Sequence, residues 1–465
     1  MRKLGMRWIG AAIAMFFLVA CVPTQINLTC ALPPVNHPTP SSLAIDLYVD
    51  GTPSMRGYVN APSSRYQDTL EALLGILNID PVAFDGSTRS PSRETQYFRL
   101  GVNDSTGKAI QKITREQYRQ AELPQFYGGD ATFPSLAVSQ IDAAIKPPDA
   151  DNKMTVIITD LYQAKEDAGM IANSIKEYLM KTHQGGAVGV LGIRSEFNGT
   201  VYTEGQAGAQ SFPYNSKGQP QRPFYLLLIG NLEDVHFYID TLLKRLSFGK
   251  EAQVDIFSPY QVYKTSAQLN RRTQNDLTPQ ERLLVSTPSQ GIRHKQLAVN
   301  LKDPSVQPLV LRENRKPIQL AWQATLEPIP RVLAPNAEAF STTITPKTFQ
   351  KSAFEADSNP ALQQVLTLNN WQPEGNGLFF SAEIQPDKLR PGIYLFEAET
   401  TINAAGDPFP TPTWWQEWNS PPTSQDGAKT HELNLFLTDL KSKTMALMRQ
   451  KPPLVGRFCY LIQRI

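Results

Sequence analysis

Asp50, Thr52 and Ser54, spaced by single residues, follow directly on the apolar run Leu43–Val49, so a carboxylate and two hydroxyls stand at the tip of a predicted buried strand. Such a donor set suits a hard cation, Mg²⁺ or alternatively Mn²⁺ or Ca²⁺, which takes roughly six oxygen ligands and keeps some as water. Two later segments offer the remaining donors: Thr132 in Gly128-Gly129-Asp130-Ala131-Thr132, and Asp160 at the end of the apolar stretch Thr155–Thr159. Asp130 is a rival for the place given to Thr132. Hydroxyl ligands are neutral, so a cation held by one or two carboxylates keeps excess positive charge and would accept a Glu or Asp from a partner protein. The bland alternative is that Asp50, Thr52 and Ser54 merely cap a turn by bonding nearby backbone N–H groups.

Elements that would position these residues are legible as hydrophobic periods. Strands are predicted at Leu43–Val49, Gln96–Leu100, Met154–Thr159, Ala187–Ile193, Phe224–Ile229 and Gln253–Phe257. Amphipathic stripes between them predict helices: Tyr66, Leu70, Leu73, Leu74 and Leu77 in the first, then Leu136, Ala137, Ile141, Ala144 and Ile145 in the second. A third runs over 167–181, and a fourth is capped by Asn231 with Val235, Ile239, Leu242 and Leu246 as its stripe. Alternation of this kind predicts an α/β domain over 42–258 with a doubly wound, mainly parallel sheet. In such a sheet the loops beyond the carboxyl ends of the strands converge, which would gather Asp50, Thr132 and Asp160.

After a polar connector the period changes to two. Ile318, Leu320, Trp322, Ala324 and Leu326 alternate with other residues, as do Leu378, Phe380, Ala382 and Ile384, which predicts a β-rich, sandwich-like domain over 290–437. Leu433–Leu437 is read as its closing strand, followed by a C-terminal helix and tail over 438–465.

With these residues in place, the chain resembles the von Willebrand factor A domain, whose metal-ion-dependent adhesion site uses a DxSxS motif, a threonine from a later loop and an aspartate after a middle strand. The resemblance implies Asp50, Thr52, Ser54, Thr132 and Asp160 as the metal set and covers roughly residues 43 to 257. Thr52 departs from the usual serine, keeping the hydroxyl and adding a methyl. Asp-Gly-Thr also invites comparison with haloacid dehalogenase phosphatases, but Tyr48 stands where their nucleophilic aspartate belongs.

Arg2, Lys3 and Arg7 precede the apolar stretch Ile9–Ala20, which ends in Leu18-Val19-Ala20-Cys21. This is similar to a bacterial lipoprotein signal peptide (residues 1–20), which implies Cys21 as the lipidated residue and a membrane-anchored protein in the cell envelope, the outer membrane being favoured because Val22 is not Asp. Acylation contributes about 0.8 kcal/mol per buried CH₂. Pro23, Pro33, Pro34, Pro38 and Pro40 make residues 21–41 a tether. Cys30 and Cys459 are read as unpaired thiols, since 429 residues of separation settle nothing.

A 465-residue chain with 41% hydrophobic and 19% charged residues has material for two or three domains, and its net charge of +2 without a basic block excludes a nucleic-acid footprint. No Gly-x-Ser-x-Gly elbow, Walker loop or His-Glu-x-x-His occurs. Expectation therefore falls on a binding or scaffold lipoprotein that is not an enzyme, ahead of a metal-assisted hydrolase using Asp50 and Asp160 or a structural envelope protein with a metal-free site. Trp414, Trp415 and Trp418 are read as covering one end of the sandwich, with a stacking platform as the alternative. Asp46, in mid-strand, is expected to support the metal set or to lie at a solvated edge.

Overall fold

A computed structural model describes residues 24–28, 30 and 42–465, except 85, 89, 104–105, 129–130, 147–152, 163–166, 183–184, 206–207, 265–266, 271–277, 280–281, 283–284, 287, 289–290, 295–296, 302–305, 313–315, 351–352 and 422–423. The signal-like segment, Cys21, most of the tether and Asp130 lie outside the described residues.

Strands form at all six positions predicted for the α/β region. In chain order they are β2 (Ser42–Asp50), β3 (Ser90–Leu100), β5 (Lys153–Thr159), β6 (Gly186–Ser195), β9 (Arg222–Asn231) and β10 (Ala252–Phe257). The remaining strands of this numbering are β1 (Thr24–Leu28), the edge strand β4 (Ile110–Ile113), β7 (Asn198–Gly205) and β8 (Gly208–Asn215). A seven-stranded sheet has the order β10-β6-β9-β5-β2-β3-β4.

The doubly wound, mainly parallel sheet does not form. Only β2 with β3 and β2 with β5 pair in parallel; the other four pairings of this sheet are antiparallel. The cause is local. Among the described residues between β6 and β9 there is no crossover helix: β7 and β8 make a hairpin, and the chain returns to the sheet reversed, inserting β9 between β5 and β6. The helices α2 (Asp167–Lys181) and α3 (Leu232–Leu246) still join strands of like direction, but each such pair has a strand of opposite direction between its members.

One predicted helix also fails. Over 136–145 only a short 3₁₀ turn, Ile141–Ala144, is present, because Val102 claims the backbone just before it: Ala137 N–H donates to Val102 O at 2.9 Å and Val102 N–H to Val138 O at 2.8 Å. Tertiary hydrogen bonds override the helical stripe there.

Both faces of the sheet are covered. Helix α1 (Arg65–Ile76), begun by a Ser64/Gln67 capping box, packs Leu70 and Leu73 with Val235 and Ile239 of α3 over Leu47, Val156 and Leu228. On the other face Ile171 and Ile175 of α2 share a core with Leu437 and Leu440 of a long C-terminal helix, α4 (Leu433–Gln450), over Tyr48, Ile157 and Val190. Each such side chain, fully buried, contributes about 1.5–3 kcal/mol. Leu433–Leu437, read as a closing strand, is thus the start of α4, and Leu454–Arg464 after it is the strand that enters the β-rich part.

That part holds two facing sheets. A four-stranded antiparallel sheet contains Ile318–Thr325, Leu366–Glu374 and Gly377–Ile384, and a six-stranded one contains Phe340–Gln350, Gly392–Ile402 and Leu454–Arg464. Trp322 meets Tyr460 and Phe380 meets Phe458 between them. Within the segment read as tether, β1 pairs in parallel with Leu297–Leu301.

Cys30 and Cys459 are joined in a disulfide, with Cα atoms 5.8 Å apart, which overturns their reading as unpaired thiols. Strand pairing supplied the proximity that sequence separation hid. Replacing both cysteines by serine should lower stability by about 2–4 kcal/mol, since the bridge restricts the unfolded chain. Urea unfolding of the double variant and the wild type, each with and without reductant, checks this; reductant should affect the wild type alone.

Candidate metal centre

Because β2 and β5 are parallel neighbours, Asp50 at the end of one and Asp160 just past the other emerge side by side. Asp50, Thr52, Ser54 and Asp160 are each at most 3% exposed, an enclosure that makes every polar contact count. Thr52 Oγ1 donates to Asp50 Oδ1 at 2.7 Å, Thr52 Oγ1 and Ser54 Oγ lie 3.1 Å apart, and Ser54 Oγ donates to Asp160 Oδ1 at 3.2 Å. Thr159, adjacent to Asp160, donates through Oγ1 to Asp50 Oδ2 at 2.9 Å.

Proton counting shows what this chain of contacts lacks. The links Asp50–Thr52, Thr52–Ser54 and Ser54–Asp160 are three, while the two hydroxyls carry only two protons. With both carboxylates ionised, one of the three oxygen–oxygen contacts has no proton to share. One further positive charge resolves it: a proton on Asp50, or a cation among the oxygens. Burial, then the neighbouring Asp160, accordingly push the Asp50 carboxyl up to about 6, against pulls downward from Thr52 and Ser139.

Donor chemistry fits a hard divalent ion. Asp50, Thr52, Ser54 and Asp160 would hold it, and Ser139, 2% exposed, faces Asp50 with a hydroxyl that makes no well-formed hydrogen bond. Among the described residues no group of three or more His, Cys, Asp or Glu gathers, so the neutral hydroxyls would complete such a shell. Thr132, unlike Asp50, Thr52, Ser54 and Asp160, is exposed. The turn-capping bonds also exist: Thr52 N–H donates to Asp50 Oδ1 at 3.0 Å, and Tyr162 N–H to Asp160 Oδ1 at 3.1 Å. Between Asp160 and Tyr162, Leu161 adopts a left-handed φ of 59°, a conformation that costs a non-glycine residue energy and recurs at functional sites.

Two arginines that sequence reasoning did not select frame the centre. Arg99, fully buried on β3, donates to the carbonyls of Phe126 (3.1 Å), Pro134 (2.8 Å) and Gly51 (3.1 Å), and its guanidinium lies over the Phe126 and Phe133 rings. It fastens the 126–134 stretch to the turn after Asp50. Gly51 is glycine for the same reason, since a Cβ there would sit 2.5 Å from Arg99 Nε. Arg222, first residue of β9, pairs with Asp160 at 3.3 Å, both side chains buried. The signal available for it was a lone arginine opening an apolar strand; for Ser139 there was none.

Asp46 neither supports the centre nor faces solvent: it is 5% exposed and paired with Lys153 Nζ at 2.6 Å. Trp414, Trp415 and Trp418 are buried, which removes the stacking platform, and they cover the seven-stranded sheet rather than the sandwich. The first two donate their indole N–H groups to Asp255 Oδ2 on β10, at 2.8 and 2.6 Å, and Trp418 lies over Arg194 of β6.

Comparisons with family models, with curated proteins and with solved structures find no match.

Proposed function

We propose that this protein is a lipid-anchored, extracytoplasmic binding lipoprotein that recognises a partner protein through a divalent cation held at the ends of β2 and β5. The observation that carries the reading is the enclosed pair Asp50 and Asp160, bridged by two hydroxyls that are one proton short. Bound there, Mg²⁺ or Mn²⁺ supplies the missing charge and an electrophilic position for a partner's carboxylate. Asp50 and Asp160 bring the negative charge; Thr52 and Ser54 orient them without adding more, which leaves the ion under-neutralised. The Cys30–Cys459 bridge supports an oxidising, extracytoplasmic compartment. The lipobox-like Leu18-Val19-Ala20-Cys21 supports the anchor.

A second reading is favoured by the Arg222–Asp160 pair: a metal-free structural centre in which Asp50 keeps the proton. Calorimetric titration of the detergent-solubilised protein with MgCl₂ and MnCl₂ separates the two. The wild type should give a saturable heat and Asp50→Ala should bind ~100-fold more weakly or not at all, having lost a direct carboxylate ligand. Equal heats would select the metal-free reading. Capture from membranes with Mg²⁺ and with chelator then tests recognition; the partner should be lost in chelator and in Asp50→Ala alike.

A further inference from the structure

Arg222 ties the centre to a segment more than 200 residues further along the chain. Arg222 reaches Asp160 Oδ2 with Nη2, while its Nη1 donates to Gly427 O at 3.2 Å and Lys429 O at 3.1 Å, and its Nε has no hydrogen-bond partner. The same segment is seated at two further points: Tyr225 Oη donates to Thr430 Oγ1 at 2.8 Å, and Thr430 N–H donates to Trp418 O at 3.0 Å. Glu432 N–H donates to Ser420 O at 3.0 Å, immediately before α4 begins. One guanidinium is therefore shared between a carboxylate of the centre and the backbone of 427–429.

We propose that Arg222 is the resident counter-cation of this centre and sets its affinity for a divalent ion, and that ion binding and the seating of 426–431 oppose each other. The inference rests on the cation reading given above. A divalent ion on Asp160 would stand beside the Arg222 guanidinium with both side chains buried, where like charges repel strongly. Binding then weakens the hold of Arg222 on Asp160, and with it the seating of 426–431. Coupling is reciprocal: whatever loosens the segment raises affinity for the ion, and the ion loosens the segment. Opening in this way gives a partner's carboxylate access to donors that are otherwise enclosed.

The test is a MnCl₂ titration of the full-length, detergent-solubilised wild type, Arg222→Gln and Tyr225→Phe, with hydrogen exchange followed at the amides of Thr430 and Glu432. Arg222→Gln should bind Mn²⁺ at least ~10-fold more tightly, because a repelling charge is gone. Tyr225→Phe, which removes a segment contact and leaves Asp160 untouched, should bind about 2- to 5-fold more tightly, one hydrogen bond's worth. Mn²⁺ should speed exchange at both amides in the wild type. Unchanged or weaker binding in Arg222→Gln, with a wild type that binds, would overturn this inference and leave the cation reading standing. Absence of binding in wild type and both variants would overturn the two together. Should Arg222→Gln fail to fold, Tyr225→Phe and the exchange rates decide: unchanged affinity, or slower exchange with Mn²⁺, rejects the coupling.

Discussion

Arg99→Met is expected to destabilise the protein by roughly 3–5 kcal/mol, the effect of leaving buried carbonyls without their charged donor, partly offset by removing a buried charge. The carbonyls are those of Gly51, in the turn after β2, and of Phe126 and Pro134, in the segment between β4 and β5, so Arg99 joins two parts of the chain. Methionine keeps much of the apolar stem but loses the guanidinium that lies over Phe126 and Phe133, so the loss combines the fork of donors with its ring contacts. Arg99→Lys should fall between the two, since an ammonium cannot serve three divergent acceptors in a plane. Urea unfolding followed by circular dichroism measures the difference. An Arg99→Met protein within ~1 kcal/mol of wild type would mean that these carbonyls find water or one another instead.

The second large effect is a dependence of stability on pH and metal that Asp50 imposes. Its carboxyl titrates near 3.8 when unfolded and is pushed up to about 6 by burial and by Asp160. A raised value means that the folded state holds the proton more tightly than the unfolded state. The contribution is therefore fully present below about pH 4 and is lost as pH rises through about 6, amounting to about 3 kcal/mol at neutral pH. Asp50→Asn, which cannot titrate and keeps the shape, should lack this component. The difference in unfolding free energy between variant and wild type in chelator should grow between pH 4 and pH 7 in favour of the variant. Mg²⁺ should stabilise the wild type at pH 7, where the carboxylate is ionised, and do little at pH 4.5. A flat difference across that range would show that Asp50 is ionised without cost, and the proton count in the centre would need another solution.

Much of the local structure followed from residue order. The six strands, the helix striped from Tyr66 to Leu77, the Asn231-capped helix and the stripe over 167–181 all lie where hydrophobic period, and in one case a cap, put them, because those signals act within a few residues. Direction did not follow. Whether β9 runs with or against β5 depends on the β7–β8 hairpin that takes the place of a crossover helix over 196–221. The helix expected over 136–145 was lost to Val102, a contact 35 residues away that no local pattern announces.

For the centre the division is similar. By itself the sequence determined that a carboxylate, two hydroxyls and a second carboxylate end two buried strands, since apolar runs must be buried and their polar tips must emerge at an edge. Only the tertiary structure decided that the two tips are neighbours, that Cys30 meets Cys459, and that Arg222 links Asp160 to the 427–429 backbone. The reason is range: burial and secondary structure are set by neighbours in sequence, while ion pairs, disulfides and proton counts are set by distances in space that only the assembled sheet brings within a few ångströms.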